Sequence, residues 1–82
     1  TQPDKYRFRI YPNPANGEYV TVESTRNSCV DAKLYDILGN LVLHTFGGHI
    51  VQIRTSGLMN GKYFILLSDG SHTICETIIV SR

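Results

Sequence analysis

The chain has 82 residues, 41% of them apolar and 18% charged, and eight basic against seven acidic side chains leave a formal net charge of +1. A chain this short supports one hydrophobic core and hence one small domain. Its composition excludes a disordered or fibrous protein, and its near-neutral balance gives no electrostatic pull toward nucleic acid or an anionic membrane.

Residues 1–6 are polar and include Pro3, as a linker remnant would be, which leaves residues 7–82 as the domain. Arg7-Phe8-Arg9-Ile10-Tyr11 alternates polar and apolar, the period of a strand with Phe8 and Ile10 inward. Arg7 and Arg9 then read as a solvated edge. Pro12 and Pro14 stop the strand because neither can donate to a ladder, and Asn16-Gly17 suits a tight turn. Tyr19 to Glu23 is a second strand with Val20 and Val22 inward, followed by a polar loop from Ser24 to Ser28.

Cys29 to Tyr35 predicts a third strand, with Val30, Ala32 and Leu34 facing the core and Asp31, Lys33 and Tyr35 facing out. Asp36 to Asn40 is a reversal in which Gly39 supplies the left-handed residue. Leu41 to Phe46 is the fourth strand, Gly47-Gly48 the next turn, and Ile50 to Arg54 the fifth strand with Val51 and Ile53 inward. Thr55 to Lys62 then forms a corner into the densest apolar run, Tyr63 to Leu67. Apolar residues at every position of that run predict a strand covered on both faces. Leu58-x-x-Gly61-x-Tyr63 has the shape of a tyrosine corner, in which the phenol bonds back to nearby backbone and locks the turn. After a turn at Ser68 to Ser71, residues 72–81 complete a seventh strand.

Seven short strands with regular turn signals and no useful helical periodicity predict an all-β, seven-stranded immunoglobulin-like β-sandwich. There is no initiator methionine, no leader and no apolar run of about 18 residues, so the chain reads as a piece of a longer protein whose targeting leader lies elsewhere.

Little in the side chains suggests chemistry. Cys29 and Cys75 would lie on two strands with a third between them, about 10 Å apart, whereas a disulfide tolerates roughly 7 Å between Cα atoms. Free thiols acting as small hydrophobes are expected. His44 and His49 flank a glycine turn, and His72 sits in another, but three or four closely spaced zinc ligands are not in view and solvated histidines are expected. No nucleophile elbow, zinc-protease helix or phosphate loop is present, and the carboxylates are scattered, so neither an enzyme nor a cofactor is expected. An immunoglobulin-like adhesion or carbohydrate-binding module is the alternative reading, and it asks for an outward aromatic platform, for which Tyr6, Tyr19 and Tyr35 are the candidates.

Three segments in order carry a resemblance: Tyr11-Pro12-Asn13-Pro14, the run from Lys33 through Tyr35-Asp36-Ile37-Leu38-Gly39-Asn40 to Val42, and Leu58-x-x-Gly61-x-Tyr63. Together they resemble the C-terminal sorting domain of the type IX secretion system of Bacteroidetes, from Tyr11 to Arg82. The resemblance implies a secretion and sorting signal for an upstream cargo in the same precursor. It implies as partners an outer-membrane translocon and a sortase-like signal peptidase that cleaves upstream and attaches the cargo to anionic lipopolysaccharide. Location would be the periplasm in transit, then the outer membrane or cell surface, or secretion. Carried over onto this chain, the recognition residues are Tyr11, Pro12, Asn13, Pro14, Gly39, Leu58, Gly61, Tyr63, Ile78, Ile79, Val80, Ser81 and Arg82. Turn geometry alone accounts for Gly39 and Gly61. An apolar strand at a chain end is a target for capture by pairing, and edge strands also allow a weak homodimer. The chain departs from the family where a basic residue often precedes the terminal apolar triplet: Thr77 stands there after Glu76, leaving Arg82 as the basic group.

Overall fold

The structure is a computed structural model that describes residues 8–12, 17–26 and 28–81. Within these, seven strands follow in order: β1 (Phe8–Tyr11), β2 (Tyr19–Ser24), β3 (Val30–Tyr35), β4 (Leu41–Gly47), β5 (Ile50–Arg54), β6 (Gly61–Ser68) and β7 (Thr73–Val80). All pairings are antiparallel and make two sheets, β1-β2-β5 and β4-β3-β6-β7. This is the immunoglobulin-like sandwich that the strand spacing predicts.

Alternation builds the core, because each strand sends every second side chain between the sheets. Phe8, Val20, Val22, Val51 and Ile53 come from the three-stranded sheet. Val30, Ala32, Leu34, Tyr63, Ile65, Leu67, Ile78 and Val80 come from the four-stranded sheet. Ile10, Leu43, Leu58 and Ile74 pack against this cluster from its margins.

Several details differ from the sequence reading. Ser24 is no loop residue: it ends β2, is buried, and its Oγ accepts from the Arg26 and Ser28 N–H groups. A buried hydroxyl that caps the next turn satisfies backbone donors the loop would otherwise strand. Cys29 precedes β3, and Gly47 closes β4 instead of opening the turn.

β6 is covered on one face only. Tyr63, Ile65 and Leu67 are buried, while Phe64 and Leu66 on the outer face are half-buried. Cross-strand neighbours such as Lys33 opposite Leu66 and Tyr35 opposite Phe64 shield them in place of a further layer. The predicted linker remnant at residues 1–6, together with Arg7 and Asn16, lies outside the described residues.

Candidate functional site at one end of the sandwich

Antiparallel connectivity gathers the loops into two sets. β1 runs out to Tyr11 and β2 starts at Tyr19; β3 ends at Tyr35 and β4 starts at Leu41; β5 ends at Arg54 and β6 starts at Gly61. β7 ends at Val80, which pairs with Gly61. Residues 12, 17–18, 36–40, 55–60 and Ser81 therefore share one end, and residues 25–26, 28–29, 48–49 and 69–72 share the other. The described parts of the three segments that carry the resemblance, far apart in sequence, lie toward the first end.

Hydrogen bonds hold them there. The Thr55 N–H donates to Glu18 O at 2.8 Å, and its buried hydroxyl donates to Gly17 O at 3.2 Å, which ties the corner to the residues leading into β2. In the corner, the Tyr63 phenol donates to Met59 O at 2.8 Å and the Leu58 N–H donates to Thr55 O. The tyrosine corner is thus present as the spacing predicts. Gly61 takes a φ of +151° at the entry to β6, a value that side chains with a Cβ rarely adopt.

The turn after β3 is built on one carboxylate. Asp36 Oδ1 accepts from the Leu38 and Asn40 N–H groups, both at 2.9 Å, and Oδ2 accepts from Asn40 Nδ2 at 3.4 Å. Gly39, at φ +87°, lets the chain return, and its N–H donates to Asp36 O. The Asn40 N–H above all, helped by the Asn40 side chain and the Leu38 and Gly39 N–H groups, holds the Asp36 carboxyl below its ordinary 3.8 against partial desolvation.

Between the 36–38 turn and residues 59–63 of the corner lies an open groove of about 320 Å³. Its rim is apolar and strongly exposed: Ile37 is 66%, Leu38 81% and Met59 79% accessible. Lys62 also lines it and extends its ammonium over Phe64, with Nζ 5.9 Å from the ring centroid. The Asp36 carboxylate and the Tyr63 hydroxyl are both spent on backbone partners. The groove thus offers an apolar wall flanked by two opposite charges, the Asp36 carboxylate and the Lys62 ammonium, with Asn60 beside them.

The predicted recognition residues sort by position. Pro12, Gly39, Leu58, Gly61 and Tyr63 all sit at or under this end, and Tyr11–Pro12 is a cis peptide. Tyr11 is half-exposed on the outer face of the three-stranded sheet, where its hydroxyl donates to Glu23 Oε1 at 3.3 Å. Desolvation against the sheet, then the Glu23 charge and hydrogen bond, raise the Tyr11 phenol above its usual value, with Arg9 opposing. On β7, the outermost strand of its sheet, Ile78 and Val80 are buried core, whereas Ile79 and Ser81 face out. Asn13, Pro14 and Arg82 lie outside the described residues.

The sequence reading passed over Ile37, Leu38, Met59 and Lys62, although it quoted the segments that contain them. The available signal was an apolar pair, Ile37-Leu38, inside a turn bounded by Asp36 and Gly39, where polar residues are usual.

Elsewhere, Cys29 and Cys75 are free, as expected, but both are exposed and not packed as small hydrophobes. β6 does lie between β3 and β7. His44 is not simply solvated: its Nε2 meets Asp31 Oδ1 diagonally across β3 and β4. Among the described residues no group of three or more His, Cys, Asp or Glu side chains is placed to hold a metal ion. Exposed aromatics are split between opposite faces, Tyr11 and Tyr19 on the three-stranded sheet and Phe46 on the four-stranded one. Tyr6 lies outside the described residues.

Comparison with known proteins adds one match. The sequence model of a family described as the secretion system C-terminal sorting domain matches residues 9–81, nearly the whole chain. No curated protein matches it.

Proposed function

Since the chain belongs to the secretion system C-terminal sorting domain family, whose members are type IX secretion signals, we propose that the outer-membrane translocon takes its folded sandwich as the token of export. The sorting role itself, for a cargo upstream in the same precursor, and delivery to the outer membrane, cell surface or medium follow from membership. The finer steps are our reading. The precursor crosses the periplasm, a sortase-like peptidase cuts upstream of the domain, and the cargo is joined to anionic lipopolysaccharide. In this scheme the domain is read and then removed; it is a substrate and catalyses nothing.

The observation that supports reading the folded form, and not an unfolded tail, is the convergence of Pro12, Gly39, Leu58, Gly61 and Tyr63 on one end. Pro12, Gly39 and the Leu58–Tyr63 segment are far apart in sequence and share one end only after the sandwich closes. The outward Ile79 of the last strand and the exposed Ser81 that follows it belong to the same surface region through the pairing of Val80 with Gly61.

The experiment compares a reporter cargo with and without the chain at its C-terminus in a secreting bacterium. Surface or medium delivery that depends on the chain is the expected result; equal delivery of both would refute the sorting role. Deleting residues 78–82 is an unsafe probe of the last strand because it removes the core side chains of Ile78 and Val80. Ile79→Ser spares that core. It should leave cargo in the periplasm, and undiminished delivery would remove the last strand from the recognition surface.

A further inference from the structure

β1 and β5 are the outermost strands of one sheet, and β4 and β7 those of the other. An outermost strand presents unpaired N–H and C=O groups, and proteins guard such an edge with charge, proline or brevity. Three of these edges are guarded. β1 has four residues, carries Arg9 and runs into Pro12. β5 has five and ends on Arg54. β7 turns the half-buried Glu76 toward the core between Ile74 and Ile78, opposite the fully buried Ile65, and an inward carboxylate resists the addition of another strand.

β4 lacks these guards. Leu41 to Gly47 include no proline, lysine, arginine, aspartate or glutamate, and Phe46 is 69% accessible on the outer face. β3 takes the hydrogen bonds of β4 on one side, and among the described residues none reaches its backbone from the other. The strand has a single irregularity: Leu34 pairs with Leu43 and Tyr35 with Leu41, so Val42 is an extra residue that bulges near one end. Leu43 to Gly47 stay in regular register.

We propose that Leu43 to Gly47 pair antiparallel with the same segment of a second copy of the chain, joining two four-stranded sheets edge to edge. An open backbone edge is satisfied by another extended strand, and a bilayer supplies no such partner. A second copy is selected because the segment complements itself. A two-fold axis through Thr45 sets His44 opposite the partner's Phe46 and Phe46 opposite the partner's His44. Thr45 then meets its equivalent, and Leu43 meets the partner's Gly47. Faces match as well, since His44 and Phe46 point outward with Lys33 and Asp31 while Leu43 and Thr45 point inward with Leu34 and Ala32. Aromatic and Thr–Thr pairs stabilise neighbouring strands, and no like charges come opposite one another. The contact covers the exposed Phe46 and the half-buried Leu43 at the margin of the core. No charge in the segment steers it toward a foreign strand of opposite sign. Five paired residues bury little area, so the dimer is weak, with Kd in the range of about 10 μM to 1 mM. The pairing is independent of the sorting role.

The test is sedimentation of the chain over a range of concentrations. The parent should self-associate in that range. Phe46→Lys should weaken association about tenfold or more, because charge on an edge opposes pairing. Its unfolding midpoint should stay within about 4 °C of the parent, as for surface changes. Ile79→Ser, on β7, should associate like the parent. A second measurement reads the register. With Cys29→Ser and Cys75→Ser in place, Thr45→Cys should give a cross-linked dimer on oxidation, since directly opposed Cα atoms lie about 4.5–5.5 Å apart, within disulfide reach. Cys75 alone, with Cys29→Ser, should not. A parent that is monomeric at about 1 mM overturns the proposal. So does a dimer that Phe46→Lys leaves intact, one that Thr45→Cys fails to cross-link, or one that Cys75 links through β7.

Discussion

The two ends of this sandwich are made by the same physics and used differently. Both close their hairpins with an aspartate that accepts two backbone N–H groups and a glycine in the left-handed region. The end at residues 25–26, 28–29, 48–49 and 69–72 carries Arg26, His49, Ser71 and His72 at its surface and reads as ordinary solvated connection. Both ends are braced, the first by Ser24 with Arg26, Ser28 and His49, the other by Thr55 with Gly17 and Tyr63 with Met59, but only the second carries Ile37, Leu38 and Met59 in the open. Bracing beneath an exposed apolar rim holds that rim in one shape. Binding then costs little ordering, which favours capture by a partner.

That bracing is the first thing to break. Gly61→Ala should destabilise most, by about 1–3 kcal/mol, because a φ of +151° is held against the preference of any residue with a Cβ. Nothing lies within 4 Å of the added carbon, so the whole cost is backbone strain. Urea unfolding of the variant checks this; a loss near zero would mean the strand entry relaxes freely.

The glycine pair sharpens the comparison. Gly39 and Gly70 sit at φ +87° and +92° with open space around each. Alanine at either should cost a similar amount, about 1–2 kcal/mol, or roughly 4–8 °C in midpoint per kcal/mol. Equal costs would establish that the two turns are equivalent as folding devices, so that any difference in export between the ends comes from what their tips display. Unequal costs would make the 36–40 turn special for stability and weaken its value as a recognition feature.

Tyr63→Phe comes next. The ring stays in the core, and the loss is one hydrogen bond to Met59 O, worth about 1 kcal/mol. Because that bond positions Met59 on the groove rim, export should fall by more than the stability change explains. Thermal unfolding and reporter delivery measured on the same variant separate the two effects.

Much of this was readable from the sequence. Period-two alternation is clearest in β3, with Val30, Ala32 and Leu34 inward and Asp31, Lys33 and Tyr35 outward, and it also marks Val20 and Val22 in β2 and Val51 and Ile53 in β5 as core, although Ser24 is buried on the inner face of β2 and Ile50 exposed on the outer face of β5. β6 broke the method: apolar residues on both faces look alike whether the outer face is covered or, as for Phe64 and Leu66, only shielded by cross-strand neighbours. The pairing of His44 with Asp31 was hidden because it depends on register, which no local pattern contains. The tyrosine corner was legible because its bond spans four residues. The groove was not, because its walls come from residues more than twenty positions apart that meet only through sheet topology.

The smallest expected effect concerns acid. Folding lowers the Asp36 carboxyl below 3.8 through the donors of its own turn, the Asn40 N–H first. A carboxylate that is easier to ionise in the folded state adds stability above its unfolded value, and that contribution disappears as pH falls through the lowered folded value. The 36–40 turn should therefore loosen in the acid range, below about pH 4, and be intact at neutral pH. Asp36→Asn keeps an acceptor but removes the titration. The parent should be more stable than the variant at neutral pH, and the gap should narrow as the solution is acidified. If the two stability curves run parallel through that range, the carboxylate charge contributes nothing to the turn.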